Sequence, residues 1–260
     1  MSIEQTILDQ STKEYDKALK YRGTRVTSSW HPNEDLYYGR KQKKLRGRHN
    51  VLLGEMQGFI ETLVSKIDDA PFLVFEPTDE ADVRKSEKVT KAWEQDTSTA
   101  RGDWKSKDLL GKKLGGLYGR AIYKYFAESD PESKSNLVIV DNYDFLVDPL
   151  AGGESLEEAN YMGQDNIFKS VNELEEDERY DEKQVVILKM AKGRDTEVDD
   201  NNSEQEKQNK STLIMGRDTK RYQSEETATL VEWYTTYEGV RYICTYDRPT
   251  KTWLRVEELK

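Results

Sequence analysis

The strongest constraint on this chain is how thinly its apolar residues are spread. Apolar runs are short, as in Phe72–Phe75 and Val185–Leu188. A membrane-spanning helix needs about 18–20 consecutive apolar residues, and nothing approaches that. The apolar residues must therefore act through spacing. Over 260 residues, hydrophobic side chains make up 35% and charged ones another 35%. An ordinary globular domain runs about 45–50% apolar and 25% charged. Either part of the chain stays solvated, or its packing is completed against other chains.

Spacing then supplies elements. Ile7, Leu8, Tyr15 and Leu19 predict a helix over 4–20. Residues 21–49, with Pro32 and three glycines, read as an extended arm with loops. Leu52, Met56, Phe59, Ile60, Leu63, Val64 and Ile67 recur at three and four residues, the period of one helix face, over Asn50–Asp68. Asn50 is a plausible N-cap, and Pro71 follows as a stop signal. Pro71–Pro77 reads as a short extended segment. Asp79–Thr99 is charged and helix-prone, and 102–117 is a further amphipathic helix. Arg120–Glu128 alternates as a strand, Asp130–Ser135 is turn chemistry, and Asn136–Val140 completes a hairpin. Asp141–Pro149 reads as extended and Asn160–Gln164 as a brief strand. Ser170-Val-Asn-Glu173 matches a capping box, in which Ser and Glu each satisfy the other's free amide, with a short helix after it and another over Glu182–Met190.

Residues 192–226 are dominated by Asp, Glu, Asn, Gln, Lys and Ser, too polar to offset the entropy of ordering by burial. They read as a mobile insertion. Thr227–Tyr237, a Glu238-Gly239 turn, Val240–Tyr246 and Thr252–Val256 predict a three-stranded meander. The expectation is an α+β chain in four parts. These are an N-terminal helix and basic arm (1–49), an α+β core (50–191), the polar insertion (192–226) and a β-meander continuing past the sequence (227–260).

Charge is uneven. Residues 128–206 hold 7 basic against 23 acidic side chains, a net of -16 where the whole chain carries -10. Two blocks stand out. Arg40, Lys41, Lys43, Lys44, Arg46 and Arg48 crowd into one stretch, and Glu173–Glu178 is almost wholly acidic. Clustered Lys and Arg are the footprint of phosphate binding, but no aromatic residue interleaves to stack a base. A solvated entry to the helix that follows, or a contact with an acidic neighbouring subunit, is the simpler account. The acidic block reads as an exposed helix face.

Catalytic signatures are sparse. The start, Met1-Ser-Ile-Glu-Gln-Thr, has no basic or apolar region of a secretory signal. A single cysteine, Cys244, excludes an internal disulfide framework and a cysteine zinc cluster, and fits synthesis in a reducing compartment. His31 and His49 have no obvious partner. Gly111-Lys-Lys-Leu-Gly-Gly116 has the glycine spacing of a phosphate-binding loop, but Leu117-Tyr118 stands where Lys and a hydroxyl must grip phosphate and Mg²⁺. A helix end with flexible glycines accounts for it. Asp141, Asp144 and Asp148 form the best acidic cluster, suited to a hard cation or to acid–base work. Turn capping by Asp is the simpler account. No cofactor is indicated.

One ordered set of pieces goes further. It runs from the helix before Pro71 and the helix at 102–117 to the strand Gly119-Arg-Ala-Ile-Tyr-Lys-Tyr125. Val140-Asp-Asn-Tyr-Asp-Phe-Leu-Val-Asp-Pro-Leu-Ala151, Leu156-Glu-Glu-Ala-Asn-Tyr-Met162 and the capped helix at Ser170 follow. This order resembles the portal proteins of tailed double-stranded DNA bacteriophages, over roughly residues 45–190. Tyr143, Asp144, Phe145, Asp148 and Pro149 carry the most persuasive piece. Members of that family are usually much longer, with stem helices and a clip, so the match is to the amino-terminal, wing portion.

The resemblance implies a structural virion protein, not an enzyme. It implies a head–tail connector subunit in a homo-oligomeric ring, typically a dodecamer, at one capsid vertex. Viral genome packaging and ejection would pass DNA through the ring without sequence specificity. Its partners would be the major capsid protein, terminase, and tail or adaptor proteins, with no membrane. Its location would be the virion, and the host cytoplasm during assembly. Another head–tail adaptor or accessory virion protein is the alternative, and a metal-dependent enzyme using Asp141, Asp144 and Asp148 is a third reading.

Overall fold

The computed structural model describes residues 2–39, 55–67, 75–79, 82–98, 102–126, 136–151, 156–192 and 227–259. The chain is mixed α+β with antiparallel sheets. It divides into two compact units, Val26–Asn142 and the pair Met1–Arg25 with Tyr143–Lys260. That division cuts across the four parts expected from the sequence.

In the unit Val26–Asn142, a π-helical turn, Val26–Trp30, leads into α2, His31–Tyr37. An extended arm was expected here. Pro32 does not break the helix because it sits in the first turn, where its missing N–H would have had no helical partner. Two longer helices follow, α3 (Glu55–Lys66) and α4 (Val83–Thr97), and then α5 (Trp104–Tyr118). Ile60 and Val64 of α3 are buried, as are Leu114, Leu117 and Tyr118 of α5, the helix α3 packs against. Polar bonds fix α2 to the same helices. Asn33 Nδ2 donates to Leu117 O at 2.8 Å, Tyr118 Oη to Glu34 Oε1 at 2.8 Å, and Tyr37 Oη to Glu61 at 2.6 Å.

α5 ends on Gly119 at φ +78°, a left-handed cap that glycine adopts without strain. Strands β1 (Ile122–Phe126) and β2 (Asn136–Val140) then pair antiparallel, with Ile122 opposite Val140, as the expected hairpin.

The other unit is built on one five-stranded antiparallel sheet, ordered β3-β4-β5-β6-β7. Its strands are β3 (Phe145–Val147), β4 (Tyr161–Ser170), β5 (Thr227–Tyr237), β6 (Val240–Asp247) and β7 (Trp253–Glu258). The meander expected at 227–260 thus continues a sheet begun by β3 and β4. Glu238 and Gly239, both at positive φ, make the β5–β6 turn, which matches the twist of the strands.

Side chains alternate across a strand, and β5 uses both faces. Val231 and Trp233 pack with Leu146, Cys244 and Tyr246 against Ile7, Leu8, Tyr15 and Ala18 of α1, Ile3–Arg25. Ala228 and Leu230 face the other way, against Val171 and Leu174 of α6 (Val171–Glu176) and Val185 and Leu188 of α7 (Glu182–Lys192). Fully burying each such aliphatic side chain contributes about 1.5–3 kcal/mol. The Ser170–Glu173 capping box forms in both directions, with bonds of 3.2 and 2.8 Å.

Candidate functional site

The segment that carries the family resemblance, Tyr143–Ala151, forms an edge of this sheet and a turn beyond it. Tyr143, Phe145 and Leu146 are buried, and Phe145–Val147 pair with Met162–Gln164 of β4. Arg22 of α1 donates through Nη1 to the Tyr143 carbonyl. Asp148 closes the following turn. Its carbonyl accepts from Ala151 N at 3.1 Å, and Oδ1 accepts from Leu150 N at 3.0 Å. Pro149 supplies the preset φ that the second position of such a turn favours. Oδ2 accepts from Asn160 Nδ2 at 3.1 Å. Leu150, at the tip, is 88% exposed.

Asp144 faces a defect in β4. The register of β4 against β5 shifts between Gln164 and Ile167, and Asn166 sits there at φ +55°. A bulge inserts an extra residue and re-aims side chains, and Asn tolerates the left-handed conformation better than most residues. Asp165 N donates to the Asp144 carbonyl at 2.7 Å, and Asn166 Nδ2 donates to Asp144 Oδ1 at 2.8 Å.

The bulge gathers a buried polar network. Asp165 is fully buried. Its Oδ1 accepts from Asn166 N at 2.7 Å and its Oδ2 from Tyr15 Oη at 2.7 Å. Arg248 Nη1 bonds Asn166 Oδ1 at 3.0 Å and pairs with Asp165 Oδ2 at 3.2 Å. Burial, with the Asp165 carboxylate next, pushes the Tyr15 phenol well above its ordinary pKa, so it stays a donor. Near Asp148, burial and then the Asp148 and Glu14 carboxylates push the Tyr161 phenol up to about 12. A buried carboxylate is stable only with such partners. The network therefore spends its charges on joining α1, β3, β4 and the β6–β7 turn.

The expected sites fare differently. Arg40, Lys41, Lys43, Lys44, Arg46 and Arg48 lie outside the described residues, as do His49, Asn50 and Pro71. So does the polar stretch from 193 to 226. Asp144 and Asp148 take up the turn and bulge bonds just described. Among the described residues, no group of three His, Cys, Asp or Glu side chains is placed to hold a metal ion. The glycines at 111, 115 and 116 are inside α5 and form no loop. A Cβ on Gly111 would lie 2.1 Å from Tyr123 Oη, the far end of a side chain with room to move. Among the described residues, no helix is long and apolar enough to cross a membrane.

Sequence reasoning missed Tyr15, Asp165, Asn166 and Arg248. The usable signal was Asp165-Asn166, two poor strand formers inside an otherwise strand-like run. No protein-family model matches the chain, and no curated protein matches it in sequence.

Proposed function

We propose that this chain is the wing portion of a portal subunit of a tailed double-stranded DNA bacteriophage, a structural protein and not an enzyme. The observation that carries the reading is the fate of the Tyr143–Ala151 segment. Both of its motif carboxylates, Asp144 and Asp148, are committed to backbone and amide donors, so the residues behind the resemblance serve architecture. In this reading the subunit sits in a closed ring at one capsid vertex of the virion, assembled in the host cytoplasm. It takes neighbouring subunits, the capsid shell, terminase and tail or adaptor proteins as partners. DNA passes through the ring during packaging and ejection, without sequence-specific contacts and without a cofactor.

Exposed apolar surface supports an assembled state. Phe59 (64%), Leu63 and Ile67 make an exposed i, i+4, i+8 stripe on and just past α3, and Leu150 is open at its turn tip. Contiguous exposed apolar residues commonly mark interaction surfaces. The test is the mass of the full gene product in solution, by mass photometry and negative-stain electron microscopy. Closed rings are the expected result, and a stable monomer overturns the reading.

A further inference from the structure

The chain passes between its two units at two places, Arg25–Val26 and Asn142–Tyr143. At the first, helical residues run without a break from Ile3 to Tyr37, but their bonding changes on the way. α1 ends at Arg25, the π-helical turn takes up Val26–Trp30, and α2 begins at His31. The change falls on the unit boundary. Bonds from i to i+5 take one residue more into the turn than an α-helix does, and such turns are rare, recur at functional sites and cause kinks.

The sequence also weakens the helix here. Glycine disfavours a helix interior, and packing does not call for it at Gly23, where a Cβ would meet nothing within 4 Å. Thr24, Val26 and Thr27 are β-branched and stiff against the preceding turn. The π turn is buried on one side, at Val26 and Trp30, and exposed on the other, at Thr27 and Ser28. Its solvent side can lengthen or shorten while the buried side stays packed.

At the second crossing, adjacent residues are held by different units. Arg120 Nε donates to Asn142 Oδ1 at 3.0 Å, and Asn142 Nδ2 donates to the Arg120 carbonyl at 3.2 Å. The Tyr143 carbonyl is held instead by Arg22. These bonds also tie the two crossings to each other. Arg22 stands three residues before the first crossing, in the unit of Tyr143. Arg120 lies over the Trp30 ring, 5.1 Å from its centroid, at the far end of the π turn. Each unit thus grips both passages of the chain close to the boundary.

We propose that Gly23–Ser29 and the Asn142–Tyr143 link form a hinge about which the two units swing as bodies, with the π turn taking up the bend. Hinges of this kind place the change in φ and ψ on a few residues at element ends and leave packed cores intact. Such motions run over microseconds to milliseconds. The inference does not depend on the ring reading.

The test measures distances between paired spin labels in the full chain by pulsed dipolar spectroscopy. Labelled chains are diluted in unlabelled ones, so that each pair reads within one chain. Ser106→Cys with Lys183→Cys spans the units, while Lys13→Cys with Lys183→Cys and Thr62→Cys with Ser106→Cys each stay inside one. All four positions are exposed, and the native Cys244 is buried away from the label. The spanning pair is expected to give a distance distribution at least about twice as wide as either internal pair. Gly23→Ala, and deletion of Ser28 to return the turn to α-helical bonding, are each expected to narrow it towards the internal widths. If the deletion abolishes the melting transition, Gly23→Ala decides alone. A spanning distribution as narrow as the internal ones overturns the hinge. A broad one that Gly23→Ala leaves unchanged places the motion elsewhere, and the proposal falls.

Discussion

Tyr15, on the first helix, donates its phenol to Asp165, in the bulge of β4, at 2.7 Å. The two residues are 150 positions apart, and the bond ties α1 to the sheet. A hydrogen bond to a charged group contributes about 1.5–3 kcal/mol. Tyr15→Phe keeps the ring and its edge contact with Trp233, so the loss should lie within that range. Asp165→Ala should cost more, because it strips a partner from Tyr15, from Asn166 N and from Arg248 together. Thermal melts would check the order. Equal melting temperatures for Tyr15→Phe and the parent would sink the claim.

Gly163 and Gly111 both lie against aromatic rings, yet their alanine variants should diverge. A Cβ on Gly163 would lie 2.2 Å from Trp233 Cε3 and 2.6 Å from the Glu232 carbonyl. Trp233 is fully buried and the second obstacle is backbone, so neither can yield. Gly163→Ala should cost about 3 kcal/mol, the upper part of the usual overpacking range. At Gly111 the obstacle is the far end of Tyr123, a half-exposed side chain that can swing away. Ala also gains about 1 kcal/mol over Gly inside a helix. Gly111→Ala should therefore be neutral or mildly stabilising. Urea midpoints for the two variants would decide it, and equal destabilisation would count against the account.

Where the fold was legible in the sequence, the cue was local. The β-branched and aromatic residues on either side of Glu238-Gly239, Val231, Trp233, Ile243 and Tyr246 among them, pointed to the β5–β6 hairpin, and Ser170 with Glu173 to a helix start. Two local cues misled. Pro32 reads as a breaker but opens α2, and Asp165-Asn166 reads as the end of a strand although β4 continues through its bulge to Ser170. The network itself was hidden for a different reason. Tyr15, Asp144, Asn166 and Arg248 come from distant parts of the chain, and no spacing rule links residues that only the folded sheet brings together.

Cys244 sits fully buried in β6, and burial pushes its thiol up to about 12. The thiolate is the reactive form, so the native protein should react with a thiol reagent at pH 8 more slowly than the unfolded chain by more than about a hundredfold. The same shift affects stability. The folded pKa is above the unfolded value of about 8.5, so this contribution is present below that value and is lost as pH climbs toward 12. Reaction kinetics with an aromatic disulfide, with and without denaturant, provide the test. Rapid modification of the native chain would overturn the packing described.

Asp177, at the end of α6, should behave in the opposite sense. Side-chain bonds from Arg179 at 2.8 and 2.6 Å, and from Lys169 at 2.9 Å, hold its carboxyl well below the usual carboxylate range. Because the folded pKa is depressed, its contribution is fully present above the unfolded value of about 3.9 and is lost as pH falls toward the folded one. Arg179 is 57% exposed, so solvent screens the pair and the effect should be modest. Asp177→Asn keeps the shape and removes the charge. At pH 7 the parent should melt above the variant. Between pH 4 and pH 2.5 the gap should narrow steadily, because the parent progressively loses what the variant never had. Melting curves across that range would show it, and a gap that stays constant with pH would mean that the Asp177 charge does not contribute to the stability of α6.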